Sequence, residues 1–138
     1  MTRRTARVLA LAAILICLAG RIAAQGEKAS ELKETMKKIG DGSSGLFTKL
    51  GRELRDEEPV WDDARTMSRE IVRLSSGLGK LTPPQGDQAS WQKQTKAFAE
   101  SVASLDREVV KRDRSTAFAA WKKMETQTCM TCHKVHRK

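Results

Sequence analysis

Apolar residues recur along this chain at intervals of three and four, in successive segments separated by turn-forming residues. The first segment covers about 28–55, where Leu32, Met36, Ile39, Phe47, Leu50 and Leu54 share one side. The second begins after Pro59 and steps through Val60, Ala64, Met67, Ile71, Leu74 and Leu78. In the third, Trp91, Phe98, Val102, Leu105 and Val109 keep the rhythm, with Thr95 in the remaining step. The fourth starts near Arg114 and carries Ala117, Trp121, Met124 and Thr128. Nowhere does a period of two persist long enough to predict a sheet, so the fold class is all-α. Gly77, Gly79 and the stretch 80–87 predict one long loop, and Asp113 or Ser115 is placed to open the last helix after a short turn. Narrow apolar stripes joined by short links predict an antiparallel four-helix bundle with the first and fourth helices side by side.

The beginning of the chain has a different texture. Thr2-Arg3-Arg4-Thr5-Ala6-Arg7 precedes the apolar run Val8 to Ala19 and the small pair Ala23-Ala24. A basic start, an apolar stretch and small residues before a cut predict a secretory signal peptide over 1–24, leaving 25–138 as one exported domain. The apolar run is shorter than the roughly 20 residues of a permanent bilayer span, so membrane association is expected only if this segment is retained. Cys17 would leave with it. The net charge of +9 falls to +5 when the four arginines of 1–24 are removed. The remaining cations are spread over every segment and aromatics are few, which speaks against nucleic-acid binding.

Two cysteines then remain, in Cys129-Met130-Thr131-Cys132-His133. Cys-x-x-Cys-His is the attachment sequence of c-type haem, in which each sulfur joins one vinyl group and the histidine places a nitrogen on the iron. On a helix the three residues stand at i, i+3 and i+4, on one face. Zinc is the first competitor, through Cys129, Cys132, His133 and His136, but those ligands are cramped in sequence and lack a second cluster. A dithiol redox pair is the other, and it belongs near a βαβ pattern that is absent. No nucleophile stands with a base, so enzyme activity is not expected.

With the haem motif at the end of four helical segments, the chain resembles the class II cytochromes c, comprising cytochrome c′ and cytochrome c-556. The resemblance spans nearly all of 28–138. It is most specific in Cys129 to Arg137, which is similar to the family's Cys-x-x-Cys-His-x-x-aromatic-Arg ending, with His136 standing where the family has Phe or Tyr. Met36-Lys37-Lys38-Ile39-Gly40 and the stretch around Trp91 and Phe98 also look like the family.

The resemblance implies a periplasmic monohaem cytochrome with one covalent haem c. Cys129 and Cys132 would hold the porphyrin, His133 would be one iron ligand and Met36 the second, with Arg137 close to the haem. It implies a one-electron carrier serving redox partner proteins, acidic ones given Lys134, Arg137 and Lys138, and a tendency to homodimers. The alternative within the family is a five-coordinate, cytochrome c′-type protein that binds or sequesters nitric oxide or carbon monoxide. Continuing from Met36, Gly40, Ser43 and Phe47 offer small residues beside which a haem plane would pass close to the backbone. The same stretch also reads as a weak or interrupted helix, since glycines 40, 42 and 45 each cost about 1 kcal/mol relative to alanine in a helix interior. Met67 and Met124 are expected in the core, Met130 away from the iron, and His136 at the surface or the haem edge.

Overall fold

The computed structural model describes residues 28–137, and these are all-helical. The elements are α1 (28–40), α2 (Leu46–Glu53), α3 (Trp61–Gly77) with a 3₁₀ turn Leu78–Lys80, α4 (Gln88–Lys111), α5 (Arg114–Lys123), a π-helix Met124–Cys129, and α6 (Met130–His136). The expected signal peptide, 1–24, lies outside the described residues. Among the described residues no helix is long and apolar enough to cross a membrane.

The first expected helix is two. Gly42 has a φ of 46°, a left-handed conformation that glycine enters without steric cost. Gly45 N–H returns to the Asp41 carbonyl at 2.8 Å, and a Cβ on Gly45 would run into the backbone of residues 39–41. The glycine-rich stretch therefore turns the chain. Residues 41–45 leave the helix, so the positions Gly40, Ser43 and Phe47 do not continue one helical face from Met36.

The α4–α5 link needs only Arg112 and Asp113. Arg112 takes a φ of 59°, and Asp113 caps α5 by accepting from Thr116 N–H at 3.1 Å and Thr116 Oγ1 at 2.7 Å. Asp87 caps α4 in the same way through Ser90 N–H at 2.8 Å. Hydrogen bonds from these backbone amides hold both carboxyls below their usual range.

Helices α2, α3, α4 and α5 contact one another in a closed ring, α2 on α3, α3 on α4, α4 on α5 and α5 on α2. Leu50, Leu54, Ile71, Leu78, Val102, Leu105 and Val109 are fully buried between them. On α3 the inward line is Ala64, Ser68, Ile71, Ser75 and Leu78, while Met67 and Leu74 are half-buried and Val60 is 55% exposed. Ser68 and Ser75 take the inward places expected of Met67 and Leu74, each small enough to be buried with its hydroxyl bonded. Ser68 donates to Asp106 on α4 at 2.5 Å, and Ser75 to its own helix at Val72 O, 2.8 Å, so neither burial leaves an unpaired polar group.

Two tryptophans tie helices together through both ring and N–H. Trp91 Nε1 donates to Leu78 O at 2.9 Å, fixing α4 against the end of α3. Trp121 Nε1 donates to Phe47 O at 2.8 Å while its ring stacks on Phe47 and Phe118, with centroids 5.0 and 5.7 Å away. Gly51 makes this possible, since a Cβ there would overlap the indole.

Candidate functional site

The helical run that begins at Asp113 continues without a break to His136, but its inward line changes step at the π-helix. Ala117, Trp121 and Met124 are buried at α-helical intervals of four and three. The next inward residues are Cys129, half-buried, then Cys132 and His136, both buried. From Met124 to Cys129 is a step of five, the repeat of a π-turn. Had α-spacing persisted, Thr128, Thr131 and Val135 would face inward. Thr128 is instead half-buried beside Ser101 on α4, with hydroxyls 3.4 Å apart, while Thr131 is exposed and Val135 is 41% exposed.

His136 anchors the end of this run. Its Nδ1 lies 2.8 Å from the carbonyl of Gln85, which can only accept, so Nδ1 carries the proton. In the neutral ring Nε2 then accepts from Ser90 Oγ at 3.2 Å. The ring edge meets Trp91 at 5.3 Å and 80°, and Gly86, with a φ of 80°, leaves room that a Cβ would fill. Gln85 Nε2 reaches on to the Arg137 carbonyl at 2.6 Å. The loop before α4 thus clamps the C-terminal helix from both sides of the imidazole. The surface position expected of His136 is corrected: it is 2% exposed, because both nitrogens find partners inside.

The predicted attachment residues Cys129, Cys132 and His133 stand within about one turn of that anchored helix. Cys132 belongs to the hydrophobic core and Cys129 packs at its margin, as does Met36 from α1. Burial, then the neighbouring Cys132 and Glu125, push the Cys129 thiol up to about 11, and burial raises Cys132 as well. Both are protonated, uncharged thiols at neutral pH, ill suited to act as free thiolates. A thioether carries no charge, so the same apolar surroundings suit sulfurs that end as thioethers.

His133 is exposed on its outer side, yet the protein mass around it and then the Arg137 charge lower its pKa. A neutral imidazole is the form that binds a metal. Among the described residues, no three histidine, cysteine or acidic side chains are grouped to hold a metal ion. His136, engaged with Gln85 and Ser90, is turned away from the four-ligand zinc arrangement. A haem asks less of the chain, since the porphyrin supplies the equatorial nitrogens and the protein only axial ligands and two sulfurs. The residues present fit such a group.

The remaining predicted residues are placed less closely. Met36 is half-buried on α1, and Arg137 is exposed just past α6, where among the described residues its guanidinium makes no ion pair. Met124 is buried as expected, Met67 half-buried, and Met130 is 63% exposed. Sequence periodicity missed the π-turn and the His136 clamp. Their signals are the threonines at 126, 128 and 131, which can satisfy carbonyls in a widened turn, and Gly86. Compared with protein-family models, curated proteins and solved structures, the chain matches none of them.

Proposed function

We propose that this chain is a periplasmic monohaem c-type cytochrome, built as an antiparallel four-helix bundle and carrying single electrons. The observation that supports it most is the set Cys129, Cys132 and His133, gathered on one turn of a helix whose end is fixed by His136. A covalently bound haem would supply the Fe(III)/Fe(II) couple. The chain's own residues do the rest. Cys129 and Cys132 hold the group as uncharged thioethers at the core margin. His133 offers a neutral imidazole, and Met36 a soft thioether that favours the reduced state. The His136 clamp and the Trp121 stack keep the helix still, so that a change of one charge meets a rigid frame. Arg137 adds a cation near His133 and, with Lys134, favours docking of an acidic protein. Two such bundles would pair as a homodimer.

A second reading is a gas-binding protein with the position opposite His133 open. It draws on the turn at residues 41–45, which separates α1, and Met36 with it, from α2. Optical spectra of the protein matured with a cytochrome c assembly system, beside Met36→Ala, separate the two. A low-spin spectrum that turns high-spin in the variant is expected. A high-spin native spectrum that shifts with carbon monoxide would favour gas binding, and absence of covalent haem would end both readings.

A further inference from the structure

The π-helix needs a reason, because a widened turn forms weaker packing than the α-helix on either side of it and such turns gather at functional sites. Its effect on the surface is specific. Upstream, the buried positions are Ala117, Trp121 and Met124, held by the Phe47 stack and hydrogen bond. Downstream, Cys132 and His136 are buried and Cys129 half-buried, with His136 held by Gln85, Ser90 and Trp91. Each set has its own fixed partners, and the two are out of step by one residue. A continuous α-helix cannot satisfy both: keeping Trp121 in place would turn the cysteines and His136 by about 100° and bring in Val135.

The geometry points to Met124–Cys129 as a positioning element for the attachment site, a one-residue offset that turns Cys129 and Cys132 to the core while Trp121 stays stacked on α2. The threonines support the widened turn. Thr126 Oγ1 donates to Lys122 O at 3.0 Å and Thr131 Oγ1 to Gln127 O at 2.6 Å, so carbonyls around the offset gain a second donor. Gln127 is exposed, its side chain makes no hydrogen bond among the described residues, and its backbone lies inside the offset. The role assigned to the offset rests on the haem-attachment reading, whereas the offset itself can be judged without haem.

Deleting Gln127 should turn the π-turn into plain α-helix and leave both flanking sets in place. Deleting Ala119, an exposed residue in the regular α5, should instead force Trp121 or Ala117 out of register. The expected result for the Gln127 deletion is a melting temperature within about 4 °C of the parent. Its thiols, in protein made without haem, should react with an aromatic disulfide within about twofold of the parent rate, and its covalent haem yield should match the parent's. The Ala119 deletion should melt well below both. Equal destabilisation by the two deletions, or thiols at least tenfold faster after loss of Gln127, would overturn the proposal. If the parent itself takes up no haem, the haem reading fails while melting and thiol rates still decide the offset.

Discussion

The two ends of the described chain meet the same difficulty in opposite ways. Between α1 and α2, and again between α5 and α6, the apolar line cannot run straight on. At the first place the chain stops being helical: Gly42 goes left-handed, the buried Gly45 closes a tight turn, and five residues, four of them exposed, separate the helices. At the second the helix never stops. It widens for six residues and resumes with its inward face moved by one position. Glycine makes the first solution easy because it costs nothing at positive φ, and threonine the second because its hydroxyl can serve a carbonyl in the turn. A break uncouples the helices on its two sides, whereas an offset keeps both under one rigid axis. The candidate attachment residues lie at the end of the offset and just beyond it, and the candidate second ligand, Met36, lies before the break.

Variants can test how far the ends differ in rigidity. Trp121→Ala should have the largest effect, losing about 3–5 kcal/mol of stability in chemical denaturation, because it empties a stack and frees the α2–α5 link. An effect below about 1 kcal/mol would mean that the C-terminal axis is not anchored there. His136→Ala should come next at about 2–3 kcal/mol, since it empties a buried ring site and removes its two part-buried hydrogen bonds. Hydrogen exchange should then quicken in α6 and leave α3 unchanged. Gly42→Ala at the N-terminal joint should cost only about 1 kcal/mol, as a strained but exposed turn.

The smallest effect is expected from acid. Asp87 and Asp113 have carboxyl pKa values below normal in the fold, so each contributes stability above the unfolded carboxylate value, near 3.9. That contribution is lost as pH falls through that value toward the folded one. Comparing the parent with Asp113→Asn between pH 7 and pH 2 should show the difference between them narrowing at low pH; a constant difference would rule out the ionised cap.

The fold class was legible because Leu50, Ile71, Leu105 and Val109 each recur on helical steps and are buried. On α3, Ala64, Ile71 and Leu78 are buried as the stripe predicts, but the steps at Met67 and Leu74 were each one position off, since Ser68 and Ser75 are polar by type and buried with their hydroxyls bonded. The break at residues 41–45 was legible as a weak or interrupted helix at the glycines, though not as a turn of particular shape. The candidate attachment site was read from Cys129, Cys132 and His133 alone, because the chemistry it would serve fixes their spacing. Periodicity of 3.6 could not reveal the offset, which is a departure from that period. Nor could it reveal the His136 clamp, whose partners Gln85 and Ser90 lie 51 and 46 residues away in sequence.

That separation has a consequence for the order of assembly. As the chain emerges from its N-terminal side, the loop and the start of α4 are free long before His136 appears, so its socket can be complete in advance. Docking of the imidazole then becomes a late event that reports on everything before it. A chain whose middle has gone astray has no seat to offer α6. Its cysteines would stay accessible to any enzyme or reagent that inspects unfinished proteins, while a well-made chain withdraws Cys132 from view and half-covers Cys129.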